Sequence, residues 1–204
     1  MSDMRKCIAF LCVFYFAACT MPETRTYTLY MPDEKGPVRI RTDGSVNISI
    51  NSEQYLKQSY IAYRSTPYQV EISKYSKWEA SPSRIVKNQF KDTFSRAGIF
   101  KEVRADYIAA EGFYSLRINL KQFERLDEGN DSFGVLVFDA DPHSPDNQRL
   151  YSGTIHKKLK LADRSFSSLA KGLSSALQEG LDEVSTNMIG AVTKQNNKLE
   201  YSTK

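Results

Sequence analysis

A chain of 204 residues, 41% hydrophobic and 25% charged, can bury one core of ordinary size. Its net charge of +4 is mild, and Lys and Arg are spread along it rather than gathered into a patch, so nucleic acid is not implied as a partner. All three cysteines lie at or before position 19, which leaves the rest of the chain without disulfide or thiol chemistry.

The chain opens with Met1–Lys6, in which Arg5 and Lys6 carry positive charge, followed by the apolar run Cys7–Ala18. A membrane-spanning helix needs about 20 such residues, so a run this short reads as the cleavable core of a signal peptide. Small Ala17 and Ala18 stand where a signal peptidase needs them, directly before Cys19. A thiol at that position can carry a diacylglycerol and its freed amine a further acyl chain. Each buried methylene adds about 0.8 kcal/mol of membrane affinity, so several chains anchor a domain stably. Phe16, three residues before the cysteine, departs from the aliphatic residue usual there, and Thr20 after it favours sorting to the outer membrane of a Gram-negative cell. The expected division is a signal peptide over 1–18, a lipidated N-terminus and tether over 19–44, one α+β domain over 45–193, and a polar tail over 194–204. An ordinary secretory signal with an incidental Cys19 is the alternative.

From Thr20 to Gly44 the sequence is polar and broken by Pro22, Pro32, Gly36 and Pro37, with a candidate first strand at Tyr27–Tyr30. Val46, Ile48 and Ile50 alternate with Asn47 and Ser49, the period of a half-buried strand. Tyr60–Arg64 and Tyr68–Ser73 are further strands about a Thr66-Pro67 turn. Ser81 then suits an N-cap and Pro82 the first helical position. Apolar Ile85, Val86, Phe90, Phe94 and Ala97 recur at helical spacing, and Gly98 suits a left-handed stop. After a short Ile99–Val103 segment come three strands: Phe113–Phe123, Phe133–Phe138 and Tyr151–Leu161. The middle one is apolar on both faces, as in a central strand. Asp127–Asp131 and Asp139–Gln148 carry the Gly, Asn, Asp and Pro of connecting loops. Leu169, Leu173, Leu177, Leu181, Val184 and Met188 form the stripe of a closing helix from Phe166 to Val192, although Gly172 and Gly180 each weaken a helix by roughly 1 kcal/mol. Lys194–Lys204 is expected to fray. The fold class is therefore α+β: a two-layer sandwich with a largely antiparallel sheet and two amphipathic helices on one face.

Candidate chemistry is sparse. His143 and His156 are the only histidines, and neither has His or Cys partners at zinc spacing. Asp139, Asp141 and Asp146 match no calcium loop and read as turn formers. No nucleophile-elbow or phosphate-loop motif organises the serines. No catalytic residue, metal or cofactor is expected. The aromatic residues are more telling: Tyr55, Tyr60, Tyr63, Tyr68, Tyr75 and Trp78 crowd one segment. Tyrosine joins an apolar body to a polar handle, as protein interfaces favour. The five tyrosines are a candidate partner surface, while Trp78 reads as packing.

The run YLKQSYIAYR, then Trp78, the helix to Gly98 and IFKEV, resembles the ABC-transport auxiliary lipoprotein family. Its "yL…ivyR" strand region falls on Tyr55-Leu56 and Ile61–Arg64, a tryptophan opening a helix on Trp78, and "F..V" on Phe100–Val103. LRINLKQFE and Leu169–Met188 resemble its later strand and closing helix. Asn51-Ser52-Glu53 stands where a proline often precedes the "yL". The resemblance implies a non-enzymatic lipoprotein of an intermembrane lipid transport system. It would lie on the periplasmic face of the outer membrane, held by Cys19, and dock an MCE (mammalian-cell-entry) protein whose base joins a permease and ATPase. Ring-forming oligomers occur in the family, so self-association is implied. The alternative is a structural or assembly lipoprotein of the envelope, such as a regulator of cell-wall synthesis.

Overall fold

The computed structural model describes residues 22–32, 42–106 and 111–202. The expected signal segment over 1–18, with Phe16, and the expected lipidation site Cys19 lie outside the described residues. The elements in order are β1 (Arg25–Tyr27), β2 (Val46–Ser52), a 3-10 turn (Gln54–Lys57), β3 (Tyr60–Thr66), β4 (Gln69–Trp78), α1 (Pro82–Ala97), β5 (Val103–Arg104), β6 (Tyr114–Glu128), β7 (Asp131–His143), β8 (Gly153–Lys160) and α2 (Phe166–Ser202).

One eight-stranded sheet is built around β6. On one edge β7 runs antiparallel to it, from Ser115↔His143 to Glu128↔Asp131, and β8 follows antiparallel to β7. The other edge of β6 is shared. β2 pairs parallel from Tyr114 to Leu120, and β3 pairs parallel at Arg125 and Leu126. Beyond β3 lie β4, antiparallel, and β1, parallel to β4; β5 lies beyond β2. The long ladders make the sheet largely antiparallel, as expected. The parallel β2–β6 pair is possible because α1 intervenes between those strands.

Both helices cover the same face. Helix α1 begins and ends as its sequence requires: the Ser81 hydroxyl accepts from the Arg84 amide at 3.4 Å, Pro82 opens the first turn, and Gly98 closes it at φ 63°. Its buried Ile85, Val86, Phe90 and Phe94 lie on the sheet. Phe90 meets Phe138 of β7 edge-on at 5.7 Å between centroids, and Phe94, Phe100 and Tyr114 carry the aromatic packing to the end of the sheet. Helix α2 buries Leu169, Leu173, Leu177, Leu181, Val184 and Met188. Its glycines have a physical reason. A Cβ on Gly172 would stand 2.5 Å from Leu161 Cδ2, and one on Gly180 would stand 3.2 Å from the Phe138 ring. At both positions the helix packs closely enough that a side chain would require Leu161 or Phe138 to shift, and the burial gained offsets the propensity lost.

Four expectations are corrected. β7 does not stop at Phe138 but runs to His143, because Asp139 and Asp141 point to the polar face while Ala140 is buried. The expected Asp139–Gln148 loop thus shrinks to the residues after His143. Trp78 does not open a helix; it ends β4, buried edge-on against Phe123 at 5.3 Å. The segment before Val46 is not all tether, since β1 pairs with β4 and Leu29 and Met31 pack on the core. The closing helix passes Val192 and continues to Ser202.

The start of α2 carries a pH-dependent element. Asp163 Oδ1 accepts from the Ser165 amide at 2.8 Å, and the Ser165 hydroxyl accepts from the Ser168 amide at 3.1 Å. Hydrogen bonds from Ser165 and Ser168 hold the Asp163 carboxyl down to about 2. A depressed folded value means that the stabilisation is full above the ordinary carboxylate range and fades as pH falls toward 2. Asp163→Asn should therefore flatten the acid limb of the Tm–pH curve between about 4 and 2. An unchanged limb would show that the carboxylate does not hold this turn.

Candidate functional site

The face of the sheet away from the helices is polar, and its charges are mostly paired. Lys121 Nζ lies 2.7 Å from Asp139, which also accepts from Thr154 at 2.7 Å. The Lys121 hydrogen bond is the main reason the Asp139 carboxyl sits below its ordinary value. Arg149 Nε lies 2.7 Å from Asp141, and Arg117 donates to Asn147 at 3.2 Å. Phe133 faces the same way, with Lys158 Nζ 4.4 Å from its ring centroid. This explains how the FGVLVF strand can be apolar on both faces: the stems of neighbouring long side chains cover its outer one.

The loop after β7 brings a serine, a histidine and an aspartate close in sequence without joining them into a relay. The buried Ser144 hydroxyl donates to Asp146 and accepts from the Gln148 amide at 3.1 Å, locking a turn in which Asn147 takes φ 62°. His143 Nδ1 lies 3.2 Å from the Asp141 carbonyl and Nε2 3.8 Å from its carboxylate. His156 is exposed on β8. Among the described residues, no three His, Cys, Asp or Glu side chains are grouped so as to hold a metal ion.

The five tyrosines do not form one surface. A register shift between Leu120 and Gln122 inserts Lys121 as an extra residue in β6. Before the bulge Leu116, Ile118 and Leu120 face the helices; after it Phe123 and Arg125 do, and Glu124 turns to the opposite side. The 3-10 turn fills the interval that β2 and β3 leave on the edge of β6, with Leu56 fully buried there. Tyr55 seals this interval: its hydroxyl lies 3.1 Å from the Lys121 carbonyl and 3.0 Å from Glu124 Oε2. Glu124, 1% exposed, also accepts from Arg64 Nε at 2.6 Å and Gln122 Nε2 at 3.0 Å. Burial, with the Glu124 charge beside it, raises the Tyr55 phenol well above its ordinary value.

Tyr63 faces the helix side. Its ring lies 6.3 Å from Phe166 and 5.0 Å from the Arg125 guanidinium. Arg125 is held in turn by both oxygens of Asp127, each at 3.0 Å. Tyr55 and Tyr63 thus serve the domain's own packing. The sequence could not separate them from the others, because their burial depends on the bulge and on the divided edge of β6. Tyr60, Tyr68 and Tyr75 remain outside, 50%, 95% and 51% exposed, and Ile72, which the sequence did not single out, joins them at 41%. All four belong to the β3–β4 hairpin, and Tyr68 is at its tip.

Two clefts flank α1. One, of about 590 Å³, lies between the end of β2 and the first turn of α1 and is lined by Ser52, Lys57, Ser81, Arg84 and Lys87, with no carboxylate in its wall. The other, of about 470 Å³, is bounded by Leu29, Tyr30 and Met31 on one side and Gln89, Asp92 and Arg96 on the other. No described helix is long and apolar enough to cross a membrane.

Comparison with known proteins places this architecture. No curated protein matches the chain in sequence. A crystal structure of a Xanthomonas campestris protein, assigned to a family of unknown function, superposes with a TM-score of 0.71 at 16% identity, covering 83% of this chain and 99% of that one. A second crystal structure, of an uncharacterized protein, gives 0.64 at 14% identity over 81% of this chain and 99% of that chain. At such identity both speak for the fold alone. The profile of one family, described as the ABC-type transport auxiliary lipoprotein component, matches residues 27–185, from β1 into the buried stripe of α2. By that match the chain belongs to the ABC-type transport auxiliary lipoprotein family.

Proposed function

We propose that this protein is a non-enzymatic, lipid-anchored component of an MCE-type intermembrane lipid transport system, held at the periplasmic face of the outer membrane by acylated Cys19 and docking the periplasmic MCE assembly. The observation that carries the reading is the family match over residues 27–185, which makes the domain an auxiliary part of a transport system. The short apolar run ending at Cys19 supports the anchor, and Thr20 supports the outer membrane. The surface chemistry fits a docking role. Exposed tyrosines supply large contact area at low conformational cost, and Tyr60, Ile72 and Tyr75 offer it along one hairpin. Transport is driven elsewhere by ATP hydrolysis, so position is what this domain supplies.

The test places a photo-crosslinking residue at Tyr60 or Tyr75 in cells carrying the complete envelope. The expected product is an adduct with an MCE-domain protein, identified by mass spectrometry. An adduct with a cell-wall synthase would favour the envelope-assembly reading instead, and absence of either adduct from both sites would overturn the docking surface.

A further inference from the structure

The direction of β1 fixes the side from which the chain enters the sheet. β1 is parallel to β4, with Arg25 beside Ser76 and Tyr27 beside Trp78. The chain therefore enters β1 from the side on which β4 itself begins, which is the side of the β3–β4 hairpin tip. Cys19 stands six residues before Arg25, a span of at most about 20 Å fully extended. Back along β4, the seven positions from Ser76 to Gln69 cover at most about 23 Å. A chain that continues outward along β1 would therefore bring a bilayer-held Cys19 to the tip's side of the sheet, and its reach is close to the length of β4 between Ser76 and the tip.

The tip has the chemistry for that place. Pro67 and Tyr68 form its two-residue loop, and Tyr68 is 95% exposed, with its ring and hydroxyl turned out from the sheet's end. A tyrosine with an apolar ring and a wet hydroxyl suits the headgroup layer of a bilayer. The adjacent β6–β7 hairpin, level with it because β3 and β6 are parallel, shows its charges as pairs: Lys158 with Glu128 at 2.7 Å and Lys160 with Asp131 at 2.8 Å. Paired in this way, its acids oppose an anionic surface less than free ones would.

From this placement we propose that the β3–β4 hairpin tip, led by Tyr68, is the membrane-contacting surface of the protein and seats in the interfacial layer of the bilayer that holds Cys19. The proposal rests on the Cys19 anchor proposed above, and it fixes an orientation that the anchor alone leaves free. The opposite end of the sheet, with the Ser144–Gln148 turn, then points away from the membrane, and the flank bearing Tyr60 and Tyr75 stays open to a partner.

Acylation uses the only cysteine expected in the mature chain, so a probe can be placed on one new thiol. The acylated protein carrying Tyr68→Cys, or Gln148→Cys as the distant control, is labelled with an environment-sensitive fluorophore. It is then reconstituted into vesicles of phosphatidylethanolamine and phosphatidylglycerol containing nitroxide-labelled lipid. The expected result is a blue shift and loss of fluorescence at position 68 with neither at 148. Equal quenching at both sites, or none at 68, would overturn the orientation. So would a shift at 68 that grows with protein concentration without vesicles, because the tip would then be meeting a second copy. Incorporation of labelled palmitate into the wild type and not into Cys19→Ala is measured beside it. Its failure would remove the anchor itself, whereas an acylated protein with an unquenched tip would refute only the orientation.

Discussion

Phe90→Asp is expected to abolish cooperative unfolding. Phe90 is fully buried between α1 and β7, edge-on to Phe138 and stacked with Phe94. Removing such a ring costs about 3–5 kcal/mol through lost transfer energy and the cavity left behind. An unpaired carboxylate at the same place adds several kcal/mol more, because nothing in an aromatic layer can solvate it. Together these approach the whole stability of a domain, about 5–15 kcal/mol. The purified variant should be largely insoluble or show no sigmoidal transition by circular dichroism in urea. Phe90→Leu keeps an apolar side chain in the layer and should lose only about 1–2 kcal/mol, with the transition still cooperative. A Phe90→Asp protein that melts like the wild type would mean that α1 does not lie on this sheet through that face.

How α1 could be read in advance, and the outer sheet could not, follows from the range of the interactions involved. The signals of α1 are local: a hydroxyl three residues from the amide that it caps, a proline where no amide is needed, and a glycine at the left-handed stop. The stripe of α2 is local as well, although its glycines read as defects until Leu161 and Phe138 are seen against them. β7 was harder. Asp139, Asp141 and Pro142 look like turn residues, and only Lys121, Thr154 and Arg149 on neighbouring elements make two acids acceptable in a strand. Trp78 packs as its composition suggests, and only the helix start implied by the family motif fails, since a buried indole fits the end of a strand equally well.

The tyrosines show the limit most clearly. Tyr55, Tyr60, Tyr63, Tyr68 and Tyr75 share composition and neighbourhood, yet two are packed inward and three left outside. For Tyr55 and Tyr63 that depends on a one-residue bulge in a strand some sixty positions away, and for the other three on the irregular register and turn of the β3–β4 hairpin itself. A single extra residue reverses which side chains face the helices. No periodicity within the Tyr55–Tyr75 segment carries that information. The partner surface we propose therefore comprises the exposed residues of the hairpin, with Ile72 added.

The same bulge places Glu124 in a buried ion pair with Arg64, and breaking that pair from one side should destabilise more than removing it from both. Glu124 is nearly inaccessible, and Arg64 Nε reaches it at 2.6 Å with a side chain 20% exposed. In Arg64→Met the carboxylate keeps Tyr55 and Gln122 as donors but loses its counter-charge, at a cost of about 3 kcal/mol, the lower end for a broken buried pair because solvent reaches the arginine side. For a domain of this size that is roughly 6–12 °C in Tm. Arg64→Met combined with Glu124→Met removes the charge left behind. Tyr55 can still donate to the Lys121 carbonyl at 3.1 Å, so the double variant should recover much of the loss. The coupling between the two sites, read from thermal or urea melts of all four proteins, should fall between about 0.5 and 3 kcal/mol. Additive losses would mean that the pair is incidental and that Leu56 and the 3-10 turn alone close the gap. A double variant more stable than Arg64→Met would identify the buried charge as what the arginine is there to satisfy. The divided edge of β6 would then depend on a counter-ion as well as on packing.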